Sequence, residues 1–570
     1  MRRLFLVCIF TATLLYGAAG RTQTTPSAAP VTIRVHAAHP TGGYTPIWNY
    51  FGADEPNYTY ALNGKRLLGE LGGLGSAPVY FRTHNLFTTG NGDSSLKWGS
   101  TNVYTEKPDG TPVYDFTITD RIFDAMVAAH VRPLVEIGFM PEALSTHPEP
   151  YRHTFPKGDI FTGWTYPPKD EAKWSKLVEV YAAHLRDRYG VQTKDWLWEV
   201  WNEPDIPYWH GTAEQYDRLY DLSAAAVRKA LPDAKIGGPE ATGIGDHSEP
   251  FFRQFLDHCA HGVNAATGGT GAPLDFISYH PKGNPKFSDG HATMSIAAQL
   301  RAAERGMKIV GADPRWKNTP IILGEFDPEG CAACKGPQNA YRNGPLYGVS
   351  VAEGMMRLYE LARRNGVTLQ GAVTWAFEFE DQPPFAGYRE LATNGVDKPV
   401  LNVFREMAML GARKPGAQWL AVESDGAQTV DSILADGVTG APDVNAAATR
   451  NGNEVDVLVW NYHDADVDAP PASITLQIDG LKGDLLESEY LVDHTHSNSY
   501  ATWLAMGSPQ HLDHAQSLRL RAAGSLAELA HEKRVQAMKG DKGTSVLNLT
   551  LERQGVTLIR FYEPRPSQAR

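Results

Sequence analysis

Between about residue 46 and residue 410 the chain alternates eight short apolar runs with longer amphipathic helical patterns, which restricts the folds available to it. Apolar runs joined by helices predict the buried strands of a parallel sheet, and eight such units are the number that closes into a (β/α)8 TIM barrel. A doubly wound open sheet is the alternative, and it would hold a ligand at one switch point in the strand order. The predicted strands are Ile47–Gly52, Val79–Thr83, Pro133–Gly138, Trp196–Asn202, Lys235–Gly238, Phe276–His280, Ile321–Glu325 and Gly371–Phe377.

Polar and aromatic residues lie where the predicted strands end, and this favours the barrel. The carboxyl ends of all barrel strands meet at one rim, where active sites of such barrels lie. An open sheet gives no reason for so many strand ends to be marked in this way. We therefore predict an α/β protein with a barrel over residues 46–414. The marked positions are His84, Asn202, Glu203, His280, Glu325, Trp375 and Phe377.

The sequence changes character after about Lys414, where helical periodicity fades and short alternating runs appear. Turn residues separate these runs, as in an antiparallel β-sandwich. We predict a β-sandwich domain over residues 415–570, and residues 31–45 contain a similar strand that we expect to join it. A second domain also suits the length, because 570 residues exceed what one ordinary core supports. The alternating runs are Glu454–Tyr462, Ser473–Ile478, Val546–Glu552 and Val556–Tyr562.

The amino terminus predicts export. Arg2 and Arg3 precede an apolar run from Leu4 to Tyr16, and the small residues at positions 17–20 offer a cleavage site. We predict a signal peptide over residues 1–20, a flexible leader over residues 21–30, and a periplasmic or secreted protein without membrane association after cleavage. An uncleaved anchor is the alternative, but the run is short for a bilayer span.

Charge and cysteine content disfavour several functions. The formal net charge is −12 and the chain has no long basic run, which disfavours binding to nucleic acid or to anionic membranes. Cys331 and Cys334 are close enough for a local disulfide in an oxidising compartment, or they remain two thiols. A zinc site would need two more ligands at suitable spacing, and the sequence shows none, so no metal is predicted.

The segment Trp-Leu-Trp-Glu-Val-Trp-Asn-Glu-Pro-Asp, residues 196–205, places Glu203 beside an amide at the end of an aromatic strand. Burial among tryptophans disfavours the charged form of a carboxyl group, so we expect a raised pKa and a proton to donate near neutrality. The leaving oxygen of a sugar acetal needs such a proton. A strand end with an exposed glutamate is the alternative interpretation.

Glycoside hydrolysis needs a second carboxylate on the other side of the glycosidic bond. Glu325 ends the seventh predicted strand, and Gly324 before it is expected to leave room for a sugar ring. Strands four and seven face each other across part of the barrel mouth, which suits carboxylates about 5 to 5.5 Å apart and a retaining mechanism. We therefore predict Glu203 as the acid/base and Glu325 as the nucleophile.

Sugar sites combine aromatic platforms with polar groups that bind hydroxyls. Trp201 is a candidate platform, although a buried aromatic without ligand contact is the preferred interpretation for it. Glu240 follows the fifth strand, where a helix cap or a surface position is favoured over substrate contact. Glu199 is expected to face the barrel wall or a salt-bridge partner. The predicted platforms and hydroxyl binders are Trp48, Trp375, Phe385, His84, Asn202, His280 and Glu378.

Several segments resemble glycoside hydrolase family 39, the family of β-xylosidases and α-L-iduronidases. These matches run in one order across nearly the whole mature chain and occur in both predicted domains. The resemblance implies a barrel with a β-sandwich, a retaining mechanism without a cofactor, and the same roles for Glu203 and Glu325. The matching segments are Trp-Asn-Glu-Pro-Asp (201–205), Asp-Phe-Ile-Ser-Tyr-His (275–280), Gly-Glu (324–325), Phe-Gly-Ala-Asp-Glu-Pro-Asn-Tyr (51–58), Leu-Lys-Trp-Gly-Ser-Thr-Asn-Val-Tyr (96–104), Asn-Gly-Val-Asp-Lys-Pro-Val-Leu-Asn (394–402) and His-Ser-Asn-Ser-Tyr-Ala-Thr-Trp (496–503).

Lys282, in His-Pro-Lys-Gly, bears on the substrate. A similar Lys-Gly in the iduronidases binds the carboxylate of the sugar, but xylose has none. In a xylosidase Lys282 must bind a hydroxyl or pair with a protein acid, for which Glu378, Glu380 and Asp381 are the expected partners. The export signal favours a degrader of plant polysaccharide, so the predicted function is an exo-acting β-D-xylosidase whose partner is an oligosaccharide. A uronidase, an arabinosidase-type exo-glycosidase and a non-catalytic carbohydrate-binding protein are the alternatives.

Overall fold

The structure, a computed structural model, describes residues 30–154, 157–411, 416–536 and 543–564. The predicted signal peptide (1–20), the predicted leader except Pro30, and the predicted domain boundary at residues 414 and 415 lie outside the described residues.

Eight parallel strands close into a barrel, as the sequence predicts. Each strand pairs with the next, and the last pairs with the first, so the sheet has no free edge. The predicted fold class is confirmed and the open-sheet alternative is wrong. Every predicted segment overlaps a barrel strand. The strands are β1 (Tyr50–Gly52), β2 (Val79–Arg82), β3 (Val131–Ile137), β4 (Leu197–Val200), β5 (Lys235–Thr242), β6 (Phe276–His280), β7 (Ile321–Leu323) and β8 (Leu369–Trp375).

A helix follows each barrel strand and covers the outside of the barrel. The fourth helix begins at a capping box, in which Thr212 Oγ1 accepts from the Gln215 amide at 3.2 Å and Gln215 Oε1 accepts from the Thr212 amide at 2.8 Å. Its buried residues include Tyr216 and Tyr220, whose spacing turns one face toward the sheet. The helices are α1 (Leu62–Gly72), α2 (Thr117–Ala128), α3 (Glu171–Tyr189), α4 (Ala213–Ala230), α5 (Glu249–His261), α6 (Ile296–Ala312), α7 (Pro345–Asn365) and α8 (Pro399–Met409).

The loops that leave the carboxyl ends of the strands hold most of the smaller elements, so the barrel rim there is the more elaborate end. Three hairpins lie in these loops: Tyr104–Glu106 with Pro112–Tyr114, Lys286–Ser288 with His291–Thr293, and Ala392–Thr393 with Val396–Asp397. Short 3-10 turns span Pro56–Tyr60, Glu142–Leu144, Gly163–Thr165 and Pro337–Asn343, whereas the turn Gly190–Asp195 leads into β4.

A nine-stranded sheet forms the second unit, and the N-terminal strand Val31–Gly43 lies inside it. The sheet is mixed, because Val31–Gly43 runs parallel to Ala472–Asp479 and antiparallel to Gln418–Ser424. The sheet folds over its own apolar cluster. Asn461 Nδ2 donates to the Leu551 carbonyl at 3.0 Å and so links two strands of the folded sheet. In spatial order the strands are Ala527–Gln536, Asp484–Val492, Gly555–Tyr562, Glu454–Tyr462, Asp443–Asn451, Gln418–Ser424, Val31–Gly43, Ala472–Asp479 and Thr544–Leu551, and short helices span Val430–Asp436, Ser499–Ala505 and His514–Gly524.

The sheet packs against the barrel through a shared apolar core and a buried ion pair. The barrel cluster continues into Leu458, Trp460 and Leu558 of the sheet. On α7, Arg357 Nη2 lies 2.7 Å from Asp443 Oδ2, and Trp460 Nε1 donates to the same oxygen at 3.1 Å. Because both polar groups are buried and paired, this contact orients the two units.

Cys331 and Cys334 form a disulfide in the loop after β7, with their Cα atoms 5.4 Å apart. Arg342 holds this loop by donating to the Cys331 and Cys334 carbonyls at 3.0 and 2.9 Å. Among the described residues, no helix has the length and apolar character needed to cross a membrane.

Glu406 on α8 gives a stability prediction. It is fully buried, and within the described residues neither carboxyl oxygen has a hydrogen-bond partner. Burial raises the pKa of this carboxyl well above its ordinary value of 4.5. Between the ordinary pKa and this raised pKa, the folded state therefore holds a proton that the unfolded state has released. The free energy of unfolding falls as the pH rises from the unfolded-state pKa to the folded-state pKa.

We expect Glu406→Gln to raise the free energy of unfolding at neutral pH by about 1 to 3 kcal/mol, because the ionisable group is removed from an apolar site. Below the ordinary carboxyl pKa the gain should vanish, since Glu406 is then protonated in both states. Urea unfolding of both proteins across this pH range measures the difference. A gain that does not vary with pH would contradict the assignment.

Candidate active site

Glu203 and Glu325 face each other at the rim, just beyond the ends of β4 and β7. One carboxyl oxygen of each lies within 4.8 Å of the other. Both residues are buried, with 6% and 3% of their surface exposed. The chain turns sharply after β4, because Trp201 and Glu203 have left-handed backbones with φ of 70° and 46°. Backbone strain of this kind concentrates at functional sites, where it aims a side chain.

Lys282 lies between the two glutamates. Its Nζ is 2.7 Å from Glu203 Oε1 and 2.6 Å from Glu325 Oε2. The loop that holds it is anchored where the Gly283 amide donates to the Asp327 carbonyl at 3.2 Å. Lys282 therefore pairs with the two rim glutamates and not with the acidic residues after β8, so that expectation is wrong.

The position of Lys282 changes the electrostatics of Glu203. Burial raises the pKa of the Glu203 carboxyl, but the Lys282 ammonium and the His280 ring together outweigh burial, and the pKa falls well below its ordinary value. The predicted raised pKa is therefore wrong, because two cationic groups reach a carboxyl that its aromatic strand alone would keep protonated. Burial lowers the pKa of Lys282, and the two carboxylates reverse this, so its pKa is raised and the ammonium stays charged.

His280, the last residue of β6, lies among three glutamates. Its Nδ1 is 2.9 Å from Glu203 Oε1 and 3.7 Å from Glu325 Oε1, and its Nε2 is 2.6 Å from Glu240 Oε2. Burial lowers the pKa of the ring, but these carboxylates raise it to about 9, so His280 is an imidazolium at neutral pH. Glu240 is fully buried beneath the rim, so the preferred expectation of a helix cap or a surface position is wrong.

Gly324 serves a different purpose from the one expected. A β-carbon at this position would overlap Glu240 Oε2 and would lie 2.8 Å from His280 Nε2. The missing side chain therefore makes room for the Glu240–His280 pair, and the expectation that it makes room for a sugar ring is wrong.

Arg82, the last residue of β2, forms the floor of the site. Its Nη2 donates to Asn202 Oδ1 at 3.0 Å, which fixes the amide beside Glu203. The ion pair with Glu199 confirms that residue as a salt-bridge partner in the barrel wall. Arg82 is not among the predicted site residues, although an arginine at the end of an apolar strand is a usable signal. The guanidinium faces Glu199 Oε1 at 2.5 Å, Glu136 Oε2 at 2.9 Å, Glu325 Oε1 at 3.3 Å and Glu240 Oε2 at 3.6 Å.

His84 and Trp375 form the wall of the site opposite His280. Their ring centroids are 5.1 Å apart with the planes nearly perpendicular. Burial and the nearby Arg82 cation lower the pKa of His84 well below its ordinary value, so the ring is neutral. Within the described residues His84 Nε2 has no hydrogen-bond partner, and it lies 3.8 Å from Glu136 Oε1. The Arg82 guanidinium lies 4.8 Å from the centroid of the Trp375 ring.

Asp54 is a site residue that the sequence analysis missed, although it lies in the segment 51–58. Trp375 Nε1 donates to its carboxylate, and the nearby charge of Glu325 adds to burial in raising the pKa of Asp54. Its carbonyl also lies 3.2 Å from His84 Nδ1. Asp54 therefore links the two rings of this wall and presents a carboxyl group beside them.

Trp48 lies away from this cluster. It precedes β1, at the amino end of the barrel, and its Nε1 donates to the Tyr44 hydroxyl at 3.1 Å. The prediction of Trp48 as a sugar platform is therefore wrong. Trp201 is fully buried and donates from Nε1 to the Tyr208 carbonyl at 2.8 Å, which confirms the preferred interpretation of a buried barrel aromatic.

Phe385 and Glu378, both after β8, also lie outside the cluster. Phe385 packs on Tyr500 and Trp503 of the second unit, with ring centroids 5.5 and 5.2 Å apart. Glu378 Oε1 accepts from the Gly395 amide at 2.8 Å, so it closes a turn in its own loop. Burial raises the pKa of Glu378 to about 7. Both predictions of sugar contact are wrong, because these side chains stabilise the loop between β8 and α8.

The geometry of Glu203, His280 and Glu325 also bears on metal binding. One ligand atom from each lies within 4.8 Å of the others, a spacing that could surround a cation. Lys282 already places an ammonium against both carboxylates, so a metal ion would have to displace it. The opposed carboxyl groups can instead transfer a proton on one side of a bond and attack a carbon on the other.

Comparison with known proteins decides the family. Residues 94–538 match the model of glycosyl hydrolases family 39. The chain belongs to that family. It is therefore a glycoside hydrolase, and the resemblance seen in the sequence is confirmed.

Relatives of this family 39 glycosidase have two different activities. A β-xylosidase from Caldicellulosiruptor saccharolyticus is 26% identical over 425 residues, which are 73% of this chain and 78% of that protein. An α-L-iduronidase from Mus musculus is 26% identical over 531 residues, 86% of this chain and 75% of that protein. A crystal structure of a monomeric β-xylosidase from Caulobacter crescentus CB15 has a TM-score of 0.71 at 22% identity, covering 94% of this chain and 100% of that chain. At that identity the structural likeness supports the fold alone.

Proposed function

We propose that this glycosidase is a retaining, exo-acting β-D-xylosidase that releases xylose from the non-reducing ends of xylo-oligosaccharides. The observation that carries the proposal is the opposed pair Glu203 and Glu325, with oxygens within 4.8 Å of each other. Retaining enzymes hold their carboxyl groups about 5 to 5.5 Å apart, because inverting enzymes need a wider gap for water. Relatives named β-xylosidase, one of them 36% identical over 172 residues, support xylose as the sugar.

In the first step the sugar enters between the glutamates and moves the Lys282 ammonium out of the gap. Burial then becomes the main influence on Glu203, which takes up a proton and donates it to the leaving oxygen. Glu325 attacks the anomeric carbon as the bond to the leaving oxygen breaks, and a glycosyl ester forms. Arg82, 3.3 Å from Glu325 Oε1, orients the attacking carboxylate.

In the second step water attacks the same carbon. Glu203, now a carboxylate, accepts a proton from this water, and the ester bond to Glu325 breaks. His280 stabilises the carboxylate form of Glu203 through the contact at 2.9 Å. Two displacements at one carbon leave the sugar with its original anomeric configuration.

A uronidase is the second candidate, and the position of Lys282 favours it. The Lys282 ammonium lies in the gap between the two glutamates. When an entering uronic acid moves the ammonium out of this gap, the ammonium can bind the carboxylate of that sugar. The mouse α-L-iduronidase also matches more of this chain than the Caldicellulosiruptor β-xylosidase does. An arabinoside, which has no carboxylate, is distinguished from a xyloside by the same assay.

Aryl xylosides, arabinosides and uronides assayed with the wild type and with Lys282→Ala separate these candidates. For a xylosidase we expect the aryl β-xyloside to be the best substrate, and Lys282→Ala to extend its hydrolysis to higher pH, because the pKa of Glu203 rises without the ammonium. A uronidase would instead prefer the uronide and lose about 100-fold in kcat/KM on Lys282→Ala. Lys286→Ala, an exposed lysine in the same loop, is the matched control.

A further inference from the structure

Beneath the two rim glutamates lies a buried chain of polar groups that the two steps above do not fully use. It runs from Glu199 through Glu240 and His280 to Glu203. His280 Nε2 lies 2.6 Å from Glu240 Oε2, and His280 Nδ1 lies 2.9 Å from Glu203 Oε1. Glu199, Glu240 and His280 are completely buried, so these contacts are made without competition from solvent.

With Glu203 and Glu240 both ionised, the two short contacts of His280 require both of its ring protons. A neutral imidazole carries one proton and can donate to only one of two carboxylates, which would leave two acceptors facing each other on the other side. With both nitrogens protonated, each contact is a charge-assisted hydrogen bond, the strong kind. The Glu240 carboxylate therefore stabilises the charged ring by accepting one of its protons, while the other proton is donated to Glu203.

We infer that Glu240 is a positioning residue for acid/base catalysis: its carboxylate retains the second proton on His280, so that an imidazolium donates to Glu203. The inference rests on the proposed role of Glu203 as the acid/base. Glu240 acts through His280 and does not touch the sugar. Its effect is to favour the carboxylate form of Glu203, which is the form that accepts a proton from water in the second step.

The surroundings of Glu240 keep it ionised for this task. Arg82 Nη2 lies 3.6 Å from Glu240 Oε2. Burial raises the pKa of Glu199 well above its ordinary value, and the charge of Glu240 and a hydrogen bond to it act in the same direction. Burial raises the pKa of Glu240, but the Arg82 guanidinium and the His280 ring outweigh burial and hold this pKa below its ordinary value. Further charged groups near this chain are Glu136, Glu325, Lys282 and Asp205.

The backbone also ties Glu240 to Glu203. The Glu203 amide donates to the Glu240 carbonyl at 2.9 Å, so β5 holds the turn that presents Glu203. Glu240 has a left-handed backbone with φ of 54°, and Gly324 leaves the space that its carboxylate fills. These features place the Glu240 side chain under His280 and indicate a dedicated function beyond packing.

Nitrogen NMR of the full-length protein labelled at histidine tests the inference directly, with the His280 signals assigned by their loss in His280→Asn. In the wild type both ring nitrogens should keep imidazolium shifts well above neutral pH. In Glu240→Gln, which preserves the shape of the side chain, His280 should lose its second ring proton at lower pH than in the wild type. A neutral His280 in the wild type, or an unchanged titration in Glu240→Gln, would overturn the inference.

The pH dependence of kcat/KM supplies a second readout that a purely structural role would not move. The basic limb reports the pKa of the acid, Glu203. Because Glu240→Gln weakens the imidazolium beside Glu203, the pKa of Glu203 should rise, and the basic limb should shift to higher pH by about one unit. Glu406→Gln, a buried glutamate outside the site, should leave the limb in place. An unshifted limb in Glu240→Gln would contradict the inference.

The two experiments separate failure of this inference from failure of the proposed function. The NMR titration needs no substrate, so it tests the Glu240–His280 pair even if Glu203 is not the acid/base. If His280 titrates as expected but the basic limb of the kcat/KM profile does not shift in Glu240→Gln, the proposed coupling of the Glu240–His280 pair to catalysis is wrong. If the basic limb disappears in Glu203→Ala but His280 is neutral, the proposed acid stands and the Glu240 inference falls.

Discussion

Glu325→Ala should reduce kcat on an aryl β-xyloside by about ten-thousandfold or more, because the variant lacks the carboxylate that forms the covalent intermediate. Glu325 is the glutamate that Arg82 and Lys282 hold at 3.3 and 2.6 Å, with its carboxylate aimed across the barrel mouth. Steady-state rates measure the loss. Added azide, which is small enough to enter the space left by the side chain, should restore turnover.

The configuration of the rescued product decides the role of Glu325. Azide attacks once, so the glycosyl azide should have the inverted configuration, while the wild type should give a sugar of retained configuration. Proton NMR of the first product distinguishes the two. A rescued product of retained configuration would mean that Glu325 is not the nucleophile. Glu142→Ala, which changes another glutamate in a loop at the same rim, should keep most of the activity and serves as the control.

Glu203→Ala should slow substrates with poor leaving groups by about a hundredfold to ten-thousandfold and those with good leaving groups far less. A poor leaving oxygen needs a proton before its bond breaks, whereas an activated phenolate leaves without one. The basic limb of the pH profile should also disappear, because Glu203 is the group whose loss of a proton ends acid catalysis. Steady-state kinetics on aryl xylosides of graded leaving-group pKa measure both effects.

Equal losses for all leaving groups would show that Glu203 is not the acid. Glu203 contacts Lys282 and His280, so the variant also removes the partner of two cations. Glu203→Gln keeps the size of the side chain but cannot donate the same proton, and it should show the same dependence on the leaving group. Agreement between the two variants separates loss of the proton from disturbance of the pocket.

The barrel was predictable because its signals are local and repeated. An apolar run such as Phe276–His280 has to be buried, and an amphipathic pattern such as α4 has one face to cover, so their alternation leaves few arrangements. The ends of the strands then point to one rim, which brings Glu203 and Glu325 together without further assumptions. By contrast, the second sheet pairs strand Val31–Gly43 with residues hundreds of positions further along the chain, so its strand order does not follow from local signals.

The site was predicted less well, because side chains meet there from several strands. Glu240 is followed by Ala-Thr-Gly and looks like any residue at the end of a strand, and only its contact with His280 shows its function. Phe385 and Trp48 are aromatic residues of the expected type, yet one packs on the second unit and the other lies at the opposite end of the barrel. Residue type indicates what a side chain can bind, but its direction decides what it does bind.

The sequence by itself determined the barrel, the family and the two glutamates, because each depends on local patterns of burial and on short motifs. The tertiary structure alone decided the charge on Glu203. The pKa of Glu203 depends on Lys282 and His280, which arrive from another strand, and electrostatic energy varies with distances that a linear sequence does not contain. The same holds for Arg82, whose four glutamate partners lie on, or just beyond, four different strands of the barrel.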